Sequence, residues 1–77
     1  MLIAVELMST KGIHAEIKTR QWDSVGRAAR DLSLSIKGEG VIEIECAKDD
    51  GTPKGQILIV NLGEILYAHA TEVTSLG

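Results

Sequence analysis

The chain has 77 residues, 44% of them apolar, with one cysteine and a formal net charge of −3. That makes one domain, and the lone cysteine excludes an intrachain disulfide. An acidic balance with only one Trp, one Tyr and no Phe argues against direct nucleic-acid binding, which draws on basic patches and aromatic stacking platforms.

A chain of this length buries only about 60% of the surface its unfolded form exposes. Its stability therefore rests on an aliphatic core, with self-association as the expected supplement. Met1 to Met8 is apolar but carries Glu6 and lacks a basic leader, so no secretory signal is expected. No run approaches the roughly 20 apolar residues that span a bilayer. The expectation is a cytoplasmic protein without membrane contact.

Leu2 to Met8 reads as a strand, with Ile3, Val5 and Leu7 on one face. Ser9-Thr10-Lys11-Gly12 is a turn signal. Ile13 to Lys18 alternates, placing Ile13, Ala15 and Ile17 inward and His14, Glu16 and Lys18 outward. The two segments form an expected antiparallel hairpin with one wet face.

Thr19 is the expected helix N-cap. Trp22, Val25, Gly26, Ala29, Leu32 and Ile36 then recur at spacings of three and four, which is an amphipathic helix. Asp23 with Arg27 and Arg27 with Asp31 are i,i+4 pairs on its outer side. From Leu32 to Lys37 the pattern shifts to period two, so the helix is expected to loosen there and to stop at Gly38 and Gly40.

Val41 to Ala47 is a third strand, with Ile42, Ile44 and Cys46 on one face and Val41, Glu43 and Glu45 on the other. Lys48 to Gly55 is a polar loop rich in turn formers. Ile57 to Val60 is apolar at four consecutive positions, and its β-branched content favours a strand. Leu62-Gly63-Glu64 breaks the run. Ile65 to Thr71 is the last strand, with Ile65, Tyr67 and His69 on one face and Leu66, Ala68 and Ala70 on the other. Val73 to Gly77 is expected to fray. The fold class is α+β: a ββαββ(β) order with one amphipathic helix packed on one face of a four- to five-stranded, mainly antiparallel sheet.

One helix covers one face of such a sheet. The other faces of the first three strands offer residues comfortable in water, but the run from Ile57 to Ala70 is apolar on both sides. Leu58 and Val60 or Ile57 and Ile59 must remain outside, together with residues of the last strand. An apolar patch of that extent needs a cover, and closed twofold pairing is the commonest one. A homodimer, or contact with another protein, is therefore expected through Leu58, Val60, Leu66 and Ala68. The charged helix exterior, with Arg20, Arg27 and Arg30, is a second contact surface. Residues 11–37 carry a net +3 and residues 38–77 a net −5, a polarity able to steer partners.

Chemistry-bearing residues are sparse. Cys46 falls on an inward position, as a small core hydrophobe does. His14, His69, Cys46, Glu43 and Glu45 show no metal-ligand spacing, and no cofactor motif is present. Neither metal, cofactor nor catalytic group is expected. An enzyme would require His69 to converge with Glu43 or Cys46 in a cleft. The functional expectation is a non-enzymatic, self-associating protein-interaction module. The competing expectation is a small-ligand-binding domain with a pocket between helix and sheet near Trp22 and Tyr67.

Overall fold

A computed structural model describes residues 1–37 and 40–74, without the side chains of residues 34–37 and Leu62. The protein is α+β and mostly sheet. The elements run β1 (Ile3–Ser9), β2 (His14–Thr19), α1 (Val25–Lys37), β3 (Val41–Ala47), β4 (Pro53–Asn61), a 3₁₀ turn (Leu62–Glu64) and β5 (Ile65–Glu72). The strands form one five-stranded sheet in the order β4-β3-β2-β1-β5, with every neighbouring pair antiparallel.

The two strands read as one broken apolar run thus lie at opposite edges. Four inter-strand steps would separate them by about 19 Å in a flat sheet. Only a 3₁₀ turn joins them, and it advances about 2 Å per residue. The sheet must therefore curl so that its two edges approach at that end. The inward surface of the curl holds the core. Ile3, Val5 and Leu7 of β1, Ile44 of β3 and Val60 of β4 meet Trp22, Ala28 and Leu32 there.

Register decides which side chains face that core. In the β1–β2 hairpin Val5 pairs with Ile17 and Leu7 with Ala15, as the alternation requires. The turn is held by the Ser9 hydroxyl, which accepts from the backbone N–H of Ile13 at 2.9 Å and of Lys11 at 3.2 Å. In the β3–β4 hairpin Ile42 pairs with Val60 and Ile44 with Leu58. This places Leu58 and Val60 inward and Ile57 and Ile59 outward. In β5, Ala68 pairs with Leu7 and Ala70 with Val5, but the register shifts between Met8 and Ser9. Leu66 is the extra residue of that β-bulge. It turns outward at 66% exposure while Ile65 joins the core margin, so Ile65 departs from the face of Tyr67 and His69 that strict alternation predicts.

The helix begins later than Thr19. Ser24 is the N-cap: its Oγ accepts from the Arg27 N–H at 3.1 Å, and its carbonyl accepts from the Ala28 N–H. Thr19 instead ends β2, fully buried, with its Oγ accepting from the Gln21 N–H at 3.1 Å. The later start rotates the buried stripe. Ala28 is fully buried, whereas Gly26 and Ala29 are exposed. The helix does not loosen after Leu32 but runs through Lys37. The expected stop at Gly38 lies outside the described residues. Of the expected frayed end, Val73 is instead tied to β1, its N–H donating to the Leu2 carbonyl at 2.9 Å.

Candidate interaction surface

The outward face of the β3–β4 hairpin is built by simple alternation. Glu43 lies opposite Ile59, Glu45 opposite Ile57, and Val41 opposite Asn61. Val41, Ile57 and Ile59 are 64%, 61% and 66% exposed. They form an aliphatic row along the edge hairpin, flanked by two carboxylates. β4 is an outer strand of the sheet, so its far backbone edge carries no strand partner among the described residues.

Of the residues expected to make contact, Val60 is buried in the core, and Leu58 and Ala68 are half-buried against it. Of these four apolar residues, Leu66 alone is freely exposed. The exposed alternative set, Ile57 and Ile59, had equal standing in the sequence, because a run that is apolar at every position cannot reveal its inner face. Pairing with Ile42 and Ile44 is the missing signal.

The arginines separate. Arg27 and Arg30 lie on the exposed side of α1. Arg20 lies in the loop before it and packs beside Gly51, in a cleft that also holds Lys18, Asp49 and Asp50. There the Lys18 ammonium meets the Asp49 carboxylate at 3.0 Å. The i,i+4 pairs expected through Arg27 are absent from the ion pairs of the described residues.

Trp22 and Tyr67 do not share a pocket. Trp22 is buried in the core, and its indole N–H donates to Asp31. Tyr67 pairs with Met8 on the outward face, its ring centroid 5.0 Å from that of His69. The concavities lie elsewhere. One of about 470 Å³ follows the seam between β2 and β3, past Ile17, Cys46 and Leu58. The seam exists because these strands pair only at Lys18 and Ala47. Further along β3, the Gln21 carboxamide substitutes for a strand: it accepts from the Glu45 N–H at 3.0 Å and donates to the Glu43 carbonyl at 3.2 Å.

The convergence of His69 with Glu43 or Cys46 is not seen: His69 on β5 and Glu43 on β3 are separated by β2 and β1 in sheet order. Cys46 is buried on the inward face. The His14 Nε2 and Glu6 Oε2 stand 3.1 Å apart on the outward face, and His69 lies opposite Glu6. Among the described residues no group of three or more His, Cys, Asp or Glu is placed to hold a metal, and no helix is long and apolar enough to cross a membrane.

The fold and surface define a class: a small, curled antiparallel α+β domain with an aliphatic edge hairpin. Comparisons of the chain with protein-family models, with curated proteins and with solved structures found no match.

Proposed function

We propose that this protein is a small non-enzymatic interaction module that self-associates as a homodimer and through that assembly, or beside it, contacts another protein. The observation that carries the reading is the row Val41, Ile57 and Ile59, each more than three-fifths exposed on adjacent strands. Scattered apolar residues are ordinary on a surface, but a contiguous row on an edge hairpin is a contact site.

The finer fold reading, a ββαββ(β) unit whose helix covers one sheet face, belongs to this proposal. It leaves the opposite face for partners. Arg27 and Arg30 supply the second, cationic contact surface. A cytoplasmic setting fits the single thiol, which has no intrachain partner. Light scattering on the purified chain at tens of micromolar tests the proposal. A mass of two chains is expected, and a strict monomer overturns self-association.

A further inference from the structure

The self-association just proposed leaves open which surface a second copy occupies, and the charge pattern around β4 answers that. Residues 55–63 are nine consecutive uncharged positions, bounded by Lys54 and Glu64. The two charges stand at equal sequence separation from Ile59, Lys54 within β4 and Glu64 in the 3₁₀ turn that follows it. Neither appears in an ion pair among the described residues.

Within this stretch, Ile57–Asn61 is the part of β4 in regular register, opposite Val41–Glu45. Before it, Pro53, Lys54 and Gly55, the last at φ +75°, protect the edge in the usual ways: a missing N–H, a charge and a register shift. From Gln56 to Asn61 no such protection exists. The segment is β-prone, uncharged and free of proline, a composition ready to pair with another strand.

We propose that two copies pair antiparallel through the Gln56–Asn61 edge of β4 about a twofold axis at Ile59, making one continuous ten-stranded sheet. Ile59 then lies against the partner's Ile59, and Ile57 against the partner's Asn61. Leu58 meets the partner's Val60 on the inward side. The Lys54 end of each strand comes toward the end where the other strand enters its Leu62–Glu64 turn, so opposite charges flank both rims and none falls at the axis. This pairing is self-complementary, as an isologous interface must be. It also removes the exposed aliphatic row from water.

The experiment measures dimer dissociation by sedimentation for the full chain and its variants. Ile59→Lys sets two ammonium groups against each other on the axis and raises the dissociation constant at least about tenfold. Because Ile59 is an outward residue, the variant stays folded, checked by Trp22 fluorescence. Lys54→Glu and Glu64→Lys each weaken the dimer, and the two together restore it. Ile59→Cys, with Cys46 left in place and buried, forms an intermolecular disulfide under mild oxidation. Directly opposed residues in an antiparallel pair stand about 4.5–5.5 Å apart at Cα, within disulfide reach. A native dimer that survives Ile59→Lys and gives no crosslink at position 59 overturns this pairing and leaves self-association standing. A native monomer overturns both.

Discussion

The indole N–H of Trp22 donates to the carboxylate Oδ2 of Asp31 at 2.8 Å. This single bond spans the loop before α1 and the second turn of the helix. It lets the lone Trp sit 4% exposed in the core without leaving its one donor unmatched. Asp31, so engaged, makes no ion pair with Arg27 among the described residues. Asp31→Ala is expected to cost about 1–3 kcal/mol, the penalty of a buried donor left without a partner. Asp31→Asn, which keeps an acceptor oxygen, is expected to cost less. Urea denaturation followed by Trp22 fluorescence measures both. Equal stabilities for the two variants and the native chain would contradict the role assigned to the bond.

Gly51 closes the loop between β3 and β4 at φ +89°. A Cβ there would stand 3.5 Å from the Arg20 Nη1, which is ordinary contact, so space is not the obstacle. The left-handed backbone is. Gly51→Ala is therefore expected to lower stability by about 1 kcal/mol, with the loss visible in the denaturation midpoint. Arg20→Ala in the same background tests the division between strain and crowding. Relief of the loss by removing the side chain would show that crowding, not φ, sets the cost.

The same loop carries an acid-sensitive contact. Asp50 Oδ1 accepts from the Thr52 hydroxyl at 2.6 Å and from the Thr52 N–H at 2.9 Å. These bonds, the hydroxyl first, hold the Asp50 carboxyl below the usual carboxylate range, with Lys48 adding to the effect. A carboxyl depressed in the folded state contributes stability above its unfolded pKa, and that contribution is lost as pH falls through the folded value. The turn is therefore intact at neutral pH and loosens only below about pH 4. The Thr52 amide resonance, followed by NMR from pH 7 to 2, is expected to move with this titration. In Asp50→Asn the acid-dependent movement is expected to vanish.

Much of this architecture was legible in the residues, and the gaps have physical causes. Clean alternation marks Ala15 and Ile17 in β2 and Ile42, Ile44 and Cys46 in β3 as inward, because the opposite faces are largely charged; Ile13, expected inward as well, precedes β2 and is 67% exposed. Ile57–Val60 has no such contrast, so its inner face is set only by the partner strand. The helix starts after Ser24 rather than Thr19 although both are competent caps, because only Ser24 stands where the next turn's N–H groups converge. The bulge at Leu66 had no local mark at all. It arises from fitting β5 onto β1 after a short 3₁₀ turn, a demand made by the curl of the whole sheet. The proposed interaction surface carries the first of these gaps: Leu58, Val60 and Ala68 lie on the face that meets the core, and Ile57 and Ile59 hold the exposed positions.

That exchange of faces makes the last prediction. Val60 is 6% exposed and Ile57 is 61% exposed, though they lie on one strand and differ by a single methylene. Val60→Ala removes two buried carbons' worth of contact and is expected to cost about 2 kcal/mol through lost transfer energy and an unfilled space. Ile57→Ala removes more carbon but from a solvated surface, so within the folded subunit it is expected to change stability by less than about 0.5 kcal/mol. The two must be compared at low concentration, where association contributes little, and again at tens of micromolar, where mass action adds to the stability of whatever the dimer contains. Val60→Ala lowers the denaturation midpoint at both concentrations, because the core contact it removes lies within each subunit. Ile57→Ala lowers it only at the higher one, because there the native chain gains stability from pairing that the variant forgoes. If Ile57→Ala proved as costly as Val60→Ala in dilute solution, Ile57 would belong to the core, and the register of β4 on β3 would have to shift by one residue.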